Sequence, residues 1–106
     1  MRLRNIEIPT RQIAALCQQR HITKLSLFGS VLRDDFGSQS DIDVLVEFEP
    51  EFTPGFLKLH EIQEELSTLF DRHPIDLVTP KFLNHRIRDA VLATAEVCYD
   101  ANGSHD

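Results

Sequence analysis

Three short apolar stretches in this chain have the spacing of strands, and three longer ones have the spacing of helices. The clearest strand runs from Asp41 to Phe48, where Ile42, Val44, Val46 and Phe48 fall on one face. Asp41 and Asp43 share the other face, because side chains two residues apart in a strand point the same way. A first strand is predicted over about Lys24 to Phe28 and a third over Ile75 to Thr79, after the break at Pro74. Thr10 is placed as the N-cap of a helix through about Arg20, with Ile13, Leu16 and Cys17 inward. Phe56, Leu59, Ile62, Leu66, Leu69 and Phe70 make a helical stripe after the Thr53-Pro54 turn. A last helix covers about Phe82 to Thr94, and Glu96 to Tyr99 adds a short edge strand. Between the first two strands the sequence predicts a short helical turn from Ser30 to about Asp34, then a loop through Phe36-Gly37-Ser38. Residues 1–9 read as a loosely tied arm, and the tail from about residue 101 as mobile.

These elements order themselves into one domain over residues 1–106, an α/β (α+β) arrangement with a small mixed β-sheet flanked by helices. Strand–helix–strand from Asp41 to Thr79 implies a crossover between two parallel strands. That crossover can bring Asp76 beside Asp41 and Asp43. The first strand needs only a short connection to the second and is expected antiparallel to it.

Composition narrows the class. The chain has 106 residues, 42% hydrophobic and 26% charged, as in ordinary globular proteins. No run is long and apolar enough for a membrane span, and MRLRNIEIP lacks a signal-peptide core, so a cytoplasmic protein is expected. The net charge of −6 argues against a general nucleic-acid binder. Its distribution is uneven: residues 1–33 carry +5, residues 34–71 carry −10 and the remainder −1. Most of these charges read as solvated surface. Cys17 and Cys98, without a CxxC, read as small buried apolar residues rather than a disulfide or metal pair. The five histidines show no metal-ligand spacing, and His60-Glu61-Ile62-Gln63-Glu64 lacks the second histidine of HExxH. His85, Arg86 and Arg88 on the last helix are either solvated surface or contacts to a triphosphate or partner.

The chemistry concentrates between Lys24 and Glu49. Asp41 and Asp43, with Cα atoms ~6.5–7 Å apart, repel each other unless a cation lies between them. An oxygen-only set points to a hard metal, most simply Mg²⁺. Alternatively, both acids cap the strand-start turn. Asp76 is either a further ligand or the partner of a neighbour such as Arg72. Upstream, an apolar strand stops at Gly29, where a backbone can approach a ligand closely, and Ser30 opens a helical turn favourable to phosphate. Arg33 follows at i+3 with a planar fork for phosphate oxygens, unless it pairs with Asp34 or Asp35.

At these residues the chain resembles a known superfamily. Gly29-Ser30-x-x-Arg33, Ser40-Asp41-x-Asp43-x-Leu45-Val46 and the later Ile75-Asp76-Leu77-Val78 are similar to the signature of the DNA polymerase β-like nucleotidyltransferases. More narrowly they resemble the minimal nucleotidyltransferases, often the antitoxin half of HEPN/MNT toxin–antitoxin pairs. The likeness covers roughly Thr10 to Tyr99. It implies the polymerase β-like fold and transfer of a nucleoside monophosphate, most simply AMP from ATP, to a hydroxyl. Asp41, Asp43 and Asp76 would be the catalytic and metal-holding carboxylates, for two Mg²⁺ ions. Gly29 and Ser30 would bind the β- and γ-phosphates, with Arg33 supporting that cradle. The resemblance further implies a tyrosine of a HEPN ribonuclease toxin as acceptor, so that the chain acts as antitoxin in a hetero-oligomer. Two other readings stand beside it: an interaction-only antitoxin, and transfer to a small molecule such as an aminoglycoside.

Overall fold

Four strands whose apolar residues alternate with polar ones can bury one face only by turning it toward helices, and this is how the chain solves its packing. The structure, a computed structural model, describes residues 2–3, 6–33, 36–37 and 40–102. In chain order it has β1 (Arg2–Leu3), β2 (Ile6–Glu7), α1 (Thr10–Gln19), β3 (Ile22–Phe28), β4 (Ile42–Phe48), α2 (Phe56–Leu69), β5 (Ile75–Val78), α3 (His85–Thr94) and β6 (Glu96–Asp100). Short 3-10 turns occupy Gly29–Leu32, Pro50–Phe52 and Pro80–Phe82. The main sheet is mixed, in the order β5-β4-β3-β6. β3 runs antiparallel to both β4 and β6, whereas β4 and β5 are parallel.

The core lies on one side of this sheet. Leu25, Leu27, Ile42, Val44 and Val46 are fully buried there against Ile13 and Cys17 of α1 and Ile62, Leu66 and Phe70 at the end of α2. Arg20 joins the two helices, with its Nε 3.1 Å from one Glu65 oxygen and a terminal nitrogen 2.6 Å from the other. That two-point geometry matches a planar guanidinium to a carboxylate. Ser26 and Leu45 are register partners at the centre of the sheet, only 3% and 2% exposed, and both lie outside this core cluster.

Several expectations change. The arm before α1 is tied down: β1 and β2 pair antiparallel, and Ile6 and Ile8 are buried in the core. Pro9 rather than Thr10 stands at the N-cap, and the Thr10 hydroxyl donates back to the Ile8 carbonyl at 3.2 Å. The turn after β3 is a single 3-10 turn of four residues, not a helix reaching Asp34. Phe56 departs most: the helical stripe placed it inward, but it is 90% exposed, because the first turn of α2 projects beyond the core cluster. Asp34, Asp35 and Ser38 and the tail from 103 to 106, His105 included, lie outside the described residues. No helix among the described residues is long and apolar enough to cross a membrane.

Candidate active site

Parallel pairing of β4 and β5 sets the site. Ile42 pairs with Ile75 and Asp43 with Asp76, so two acids enter the sheet side by side. On the other side of β4, Asp43 faces Phe28, the last residue of β3. Asp41 lies one residue before β4 and is exposed, as is Asp76, whereas Asp43 is half-buried. Asp76 makes no ion pair with Arg72 among the described residues.

Asp43 is the electrostatic centre of the group. Burial holds its carboxyl above the usual carboxylate range, and the charges of Asp76 and then Asp41 push it the same way. Asp76 also lies within hydrogen-bonding reach of it, which favours the protonated form of Asp43. One contact opposes these effects: the Ser30 backbone N–H donates to Asp43 and stabilises its anion. The charged neighbours acting on Asp43 are therefore acids, and no cation among the described residues is among those acting on it.

The turn after β3 is built around that carboxylate. Gly29 has φ +74°, in the left-handed region, and an added Cβ would lie 3.0 Å from the Asp43 Cγ. The close approach that the sequence assigned to a ligand is thus made first by Asp43 itself. Ser30 is engaged twice, since its hydroxyl donates to the Asp41 carbonyl at 2.9 Å while its N–H serves Asp43. This interlocking of β3 exit and β4 entry is invisible in the sequence, where Gly-Ser signals a turn and no more. Arg33 is exposed at the end of the same turn, its N–H bonded to the Ser30 carbonyl at 3.0 Å.

The residues suit a divalent cation in kind. All donors are carboxylate oxygens, which favour a hard ion such as Mg²⁺. Among the described residues, no group of three His, Cys, Asp or Glu side chains is already arranged as a ligand set. The two observations are compatible, because charge repulsion acts over longer distances than a metal–oxygen bond. Asp41 and Asp76, being exposed, have the rotamer freedom to close around an ion.

Elsewhere the chemistry is inert. Cys17 and Cys98 are free, and burial pushes their thiols up to about 12 and about 11, so both stay protonated at neutral pH. Cys17 also feels Cys98, a proximity their separation in sequence does not reveal. On α3 the Arg88 Nε is buried without a hydrogen-bond partner, and no charge of that helix is among those acting on Asp43. A cleft of about 620 Å³ lies between Phe48, Pro54, Phe56, Leu59, Pro80 and Phe82, at the C-terminal ends of β4 and β5. No residue of the candidate site lines it.

Comparison with known proteins places the chain and its fold. The nucleotidyltransferase domain family matches residues 10–98. The protein adenylyltransferase MntA of Thermococcus cleftensis is 36% identical over 78 residues, which cover 74% of each chain. A solved protein named as a minimal nucleotidyltransferase is 30% identical, with a TM-score of 0.66, over 81% of this chain and 85% of that one. A toxin–antitoxin crystal structure with AMP-PNP has the same fold at 20% identity, with a TM-score of 0.70 over 89% of this chain and 75% of that one.

Proposed function

The chain belongs to the nucleotidyltransferase domain family, and from that premise we propose that it transfers AMP from ATP to a hydroxyl of a partner toxin. The observation that carries this reading is the register Asp43–Asp76, with Asp41 alongside and acids as the charges acting on Asp43. A relative named as a protein adenylyltransferase and a structural neighbour that is a toxin–antitoxin complex with AMP-PNP support the donor and the class of acceptor.

In this reading the acceptor oxygen attacks the α-phosphorus of ATP, a new P–O bond forms, and the bond to the β-phosphate breaks to release pyrophosphate. Asp41 and Asp43 would hold two Mg²⁺ ions, with Asp76 on the side nearest the acceptor. Bound there, Mg²⁺ offsets the charge of the triphosphate and lowers the pKa of a coordinated hydroxyl. Asp76, exposed and one strand away from Asp43, would take the acceptor proton. Gly29 and Ser30 border the phosphates, and Arg33 stands within the same turn. Because Ser30 N–H already serves Asp43, phosphate binding there exchanges one anion for another at that donor. A tyrosine of a HEPN-type ribonuclease fits as acceptor: its hydroxyl, with a reference pKa of ~10, needs such activation at neutral pH.

The test is intact-mass analysis of the partner toxin after incubation with this protein, ATP and Mg²⁺. Addition of AMP by wild type and not by Asp41→Asn/Asp43→Asn, with loss of toxin activity, is expected. Equal inhibition by both proteins with no mass change would replace catalysis by steric neutralisation.

A further inference from the structure

The entry to β5 contains a device that the nucleotidyltransferase signature does not include. After Phe70 the chain turns through Asp71 and Arg72, with φ values of +55° and +67°. Two consecutive non-glycine residues in the left-handed region are strained, and such strain persists only where surrounding contacts enforce it. Those contacts are present. Arg72 N–H donates to the Ser67 carbonyl at 2.8 Å, His73 N–H to the Phe70 carbonyl at 3.1 Å, and the Ser67 hydroxyl to the His73 carbonyl at 2.8 Å. The turn delivers the His73 ring to the neighbouring strand's entry. There its Nδ1 lies 3.1 Å from the Ser40 carbonyl, and its ring stacks on Phe36 with centroids 5.1 Å apart. Next to it, Ile42 N–H donates to the Pro74 carbonyl at 2.8 Å.

Ser40 immediately precedes Asp41. Consecutive carbonyls are therefore pinned from opposite sides, Ser40 by His73 from β5 and Asp41 by Ser30 from β3. Among the described residues, the other hydrogen bonds of Ser40 are local, from Ser40 N–H to the Gly37 carbonyl and from Gly37 N–H to the Ser40 hydroxyl, both at 3.0 Å. Without His73, the segment carrying Asp41 loses its side-chain tie to the strand carrying Asp76.

We propose that His73 is a positioning residue that sets the spacing of Asp41 and Asp43 relative to Asp76, and so tunes how tightly the carboxylates hold a divalent cation. It touches neither substrate nor ion. The carbonyl of Ser40 can only accept, so the ring donates Nδ1–H, in the neutral or the charged imidazole alike. The clamp therefore works without a change of protonation. The inference rests on the metal-site reading under Proposed function. Groups that hydrogen-bond metal ligands directly typically change metal affinity by about 10–100-fold, and His73, which acts through the residue before Asp41, is expected at the lower end of that range.

Mn²⁺ is the probe, titrated against the full chain with melting temperature as readout, which requires no partner or turnover. Wild type should show a Mn²⁺-dependent rise that Asp41→Asn/Asp43→Asn lacks. His73→Phe keeps a ring for Phe36 but removes the donor, and should shift the Mn²⁺ midpoint upward by about tenfold. His73→Gln, whose amide reaches the Nε2 position, should behave like His73→Phe. His73→Asn places an N–H where Nδ1 was, and should restore a midpoint within about threefold of wild type. A purely structural histidine would lower the metal-free melting temperature in every variant and leave the midpoint unmoved, which overturns the proposal. So does His73→Asn binding as weakly as His73→Phe and His73→Gln. If wild type itself gives no rise beyond the double aspartate variant, the metal-site reading fails and this inference with it.

Discussion

The two ends of the β4–β5 pair are made from the same strands, yet they are built on opposite principles. At the N-terminal end, Asp41, Asp43 and Asp76 crowd together, and polar contacts from Ser30, His73 and Pro74 fix the backbone around them. At the C-terminal end, five residues further along β4 and thus roughly 16 Å away, Phe48 opens onto an apolar cleft edged by Phe56 and Phe82. Phe56 and Phe82 are 90% and 75% exposed, and Leu57 beside them 83%. One end holds charge under local constraint, and the other leaves hydrophobic surface exposed. The difference shows that hydrophobic burial places the strands, while the site's geometry comes from hydrogen bonds at strand entries.

The largest effect expected from that contrast lies in catalysis. Asp43→Asn removes one carboxylate while keeping the side-chain shape, and should lower nucleotidyl transfer by about 10³-fold, or ~4 kcal/mol of barrier. Single-turnover rates with the partner protein would measure it. A loss of less than tenfold would move the chemistry away from β4.

Gly29→Ala should come next, destabilising the fold by about 2 kcal/mol in urea unfolding. A methyl group there meets the Asp43 carboxylate and forces an L-residue into a left-handed conformation. Its cost marks Gly29 as an internal component of the charged end. For that reason a bulky residue at 29 cannot by itself test phosphate binding, since it also displaces Asp43. Ser30→Ala is no cleaner, because it releases the Asp41 carbonyl. An unchanged urea midpoint for Gly29→Ala would mean that the turn and Asp43 are not interlocked.

Three strands of the main sheet and the pairings between them were legible because β4 alternates so regularly, whereas the pairing of β6 with β3 was not. Ile42, Val44 and Val46 are all fully buried, and Asp43 sits opposite, as a period of two demands. The crossover logic then brought Asp76 to Asp43. Ile6 and Ile8 carried the same two-residue spacing and were legible in principle, but a two-residue strand is too short to stand out against an irregular arm. The exposure of Phe56 was illegible for a different reason. Helical periodicity specifies a face, but not how far the core extends beneath it, and the first turn of α2 runs past its end. The roles of Ser30 and His73 depend on carbonyls of Asp41 and Ser40, eleven and thirty-three residues away, and leave no trace in local pattern.

A smaller effect should appear in the pH dependence of the metal-free protein. The folded pKa of Asp43 is raised, by burial first and by Asp76 and Asp41 after it. The folded state therefore binds its proton more tightly than the unfolded chain, whose aspartate titrates near ~3.9. Stability from this group is full below that value and is lost as pH rises through the folded pKa. At pH 7 Asp43→Asn should thus be more stable than wild type, by roughly 0.5 kcal/mol once solvent screening is allowed for. Urea midpoints at pH 7 and at pH 3.5 provide the comparison, and the gain should vanish at the lower pH. Charged Asp43 would then be a site retained for function at the expense of stability. A variant less stable than wild type at pH 7 would show that the Ser30 hydrogen bond outweighs the repulsion.

The smallest effect belongs to the apolar end, where it is informative because it is small. Phe56→Ser and Leu57→Ser change large hydrophobic side chains that are already in water, so they remove almost no buried area. Each should alter unfolding free energy by less than about 0.5 kcal/mol. A buried phenylalanine such as Phe70, 1% exposed where α2 ends, would cost about 3–5 kcal/mol on truncation to alanine. Both aromatic residues belong to the same helical stripe in sequence, so the gap between them measures how far the core reaches along α2. If Phe56→Ser destabilised the isolated chain by more than about 2 kcal/mol, the first turn of α2 would be packed in solution and the cleft closed. A near-zero value, with the Mn²⁺ response intact, would separate the apolar end from the carboxylate end in energy as well as in space.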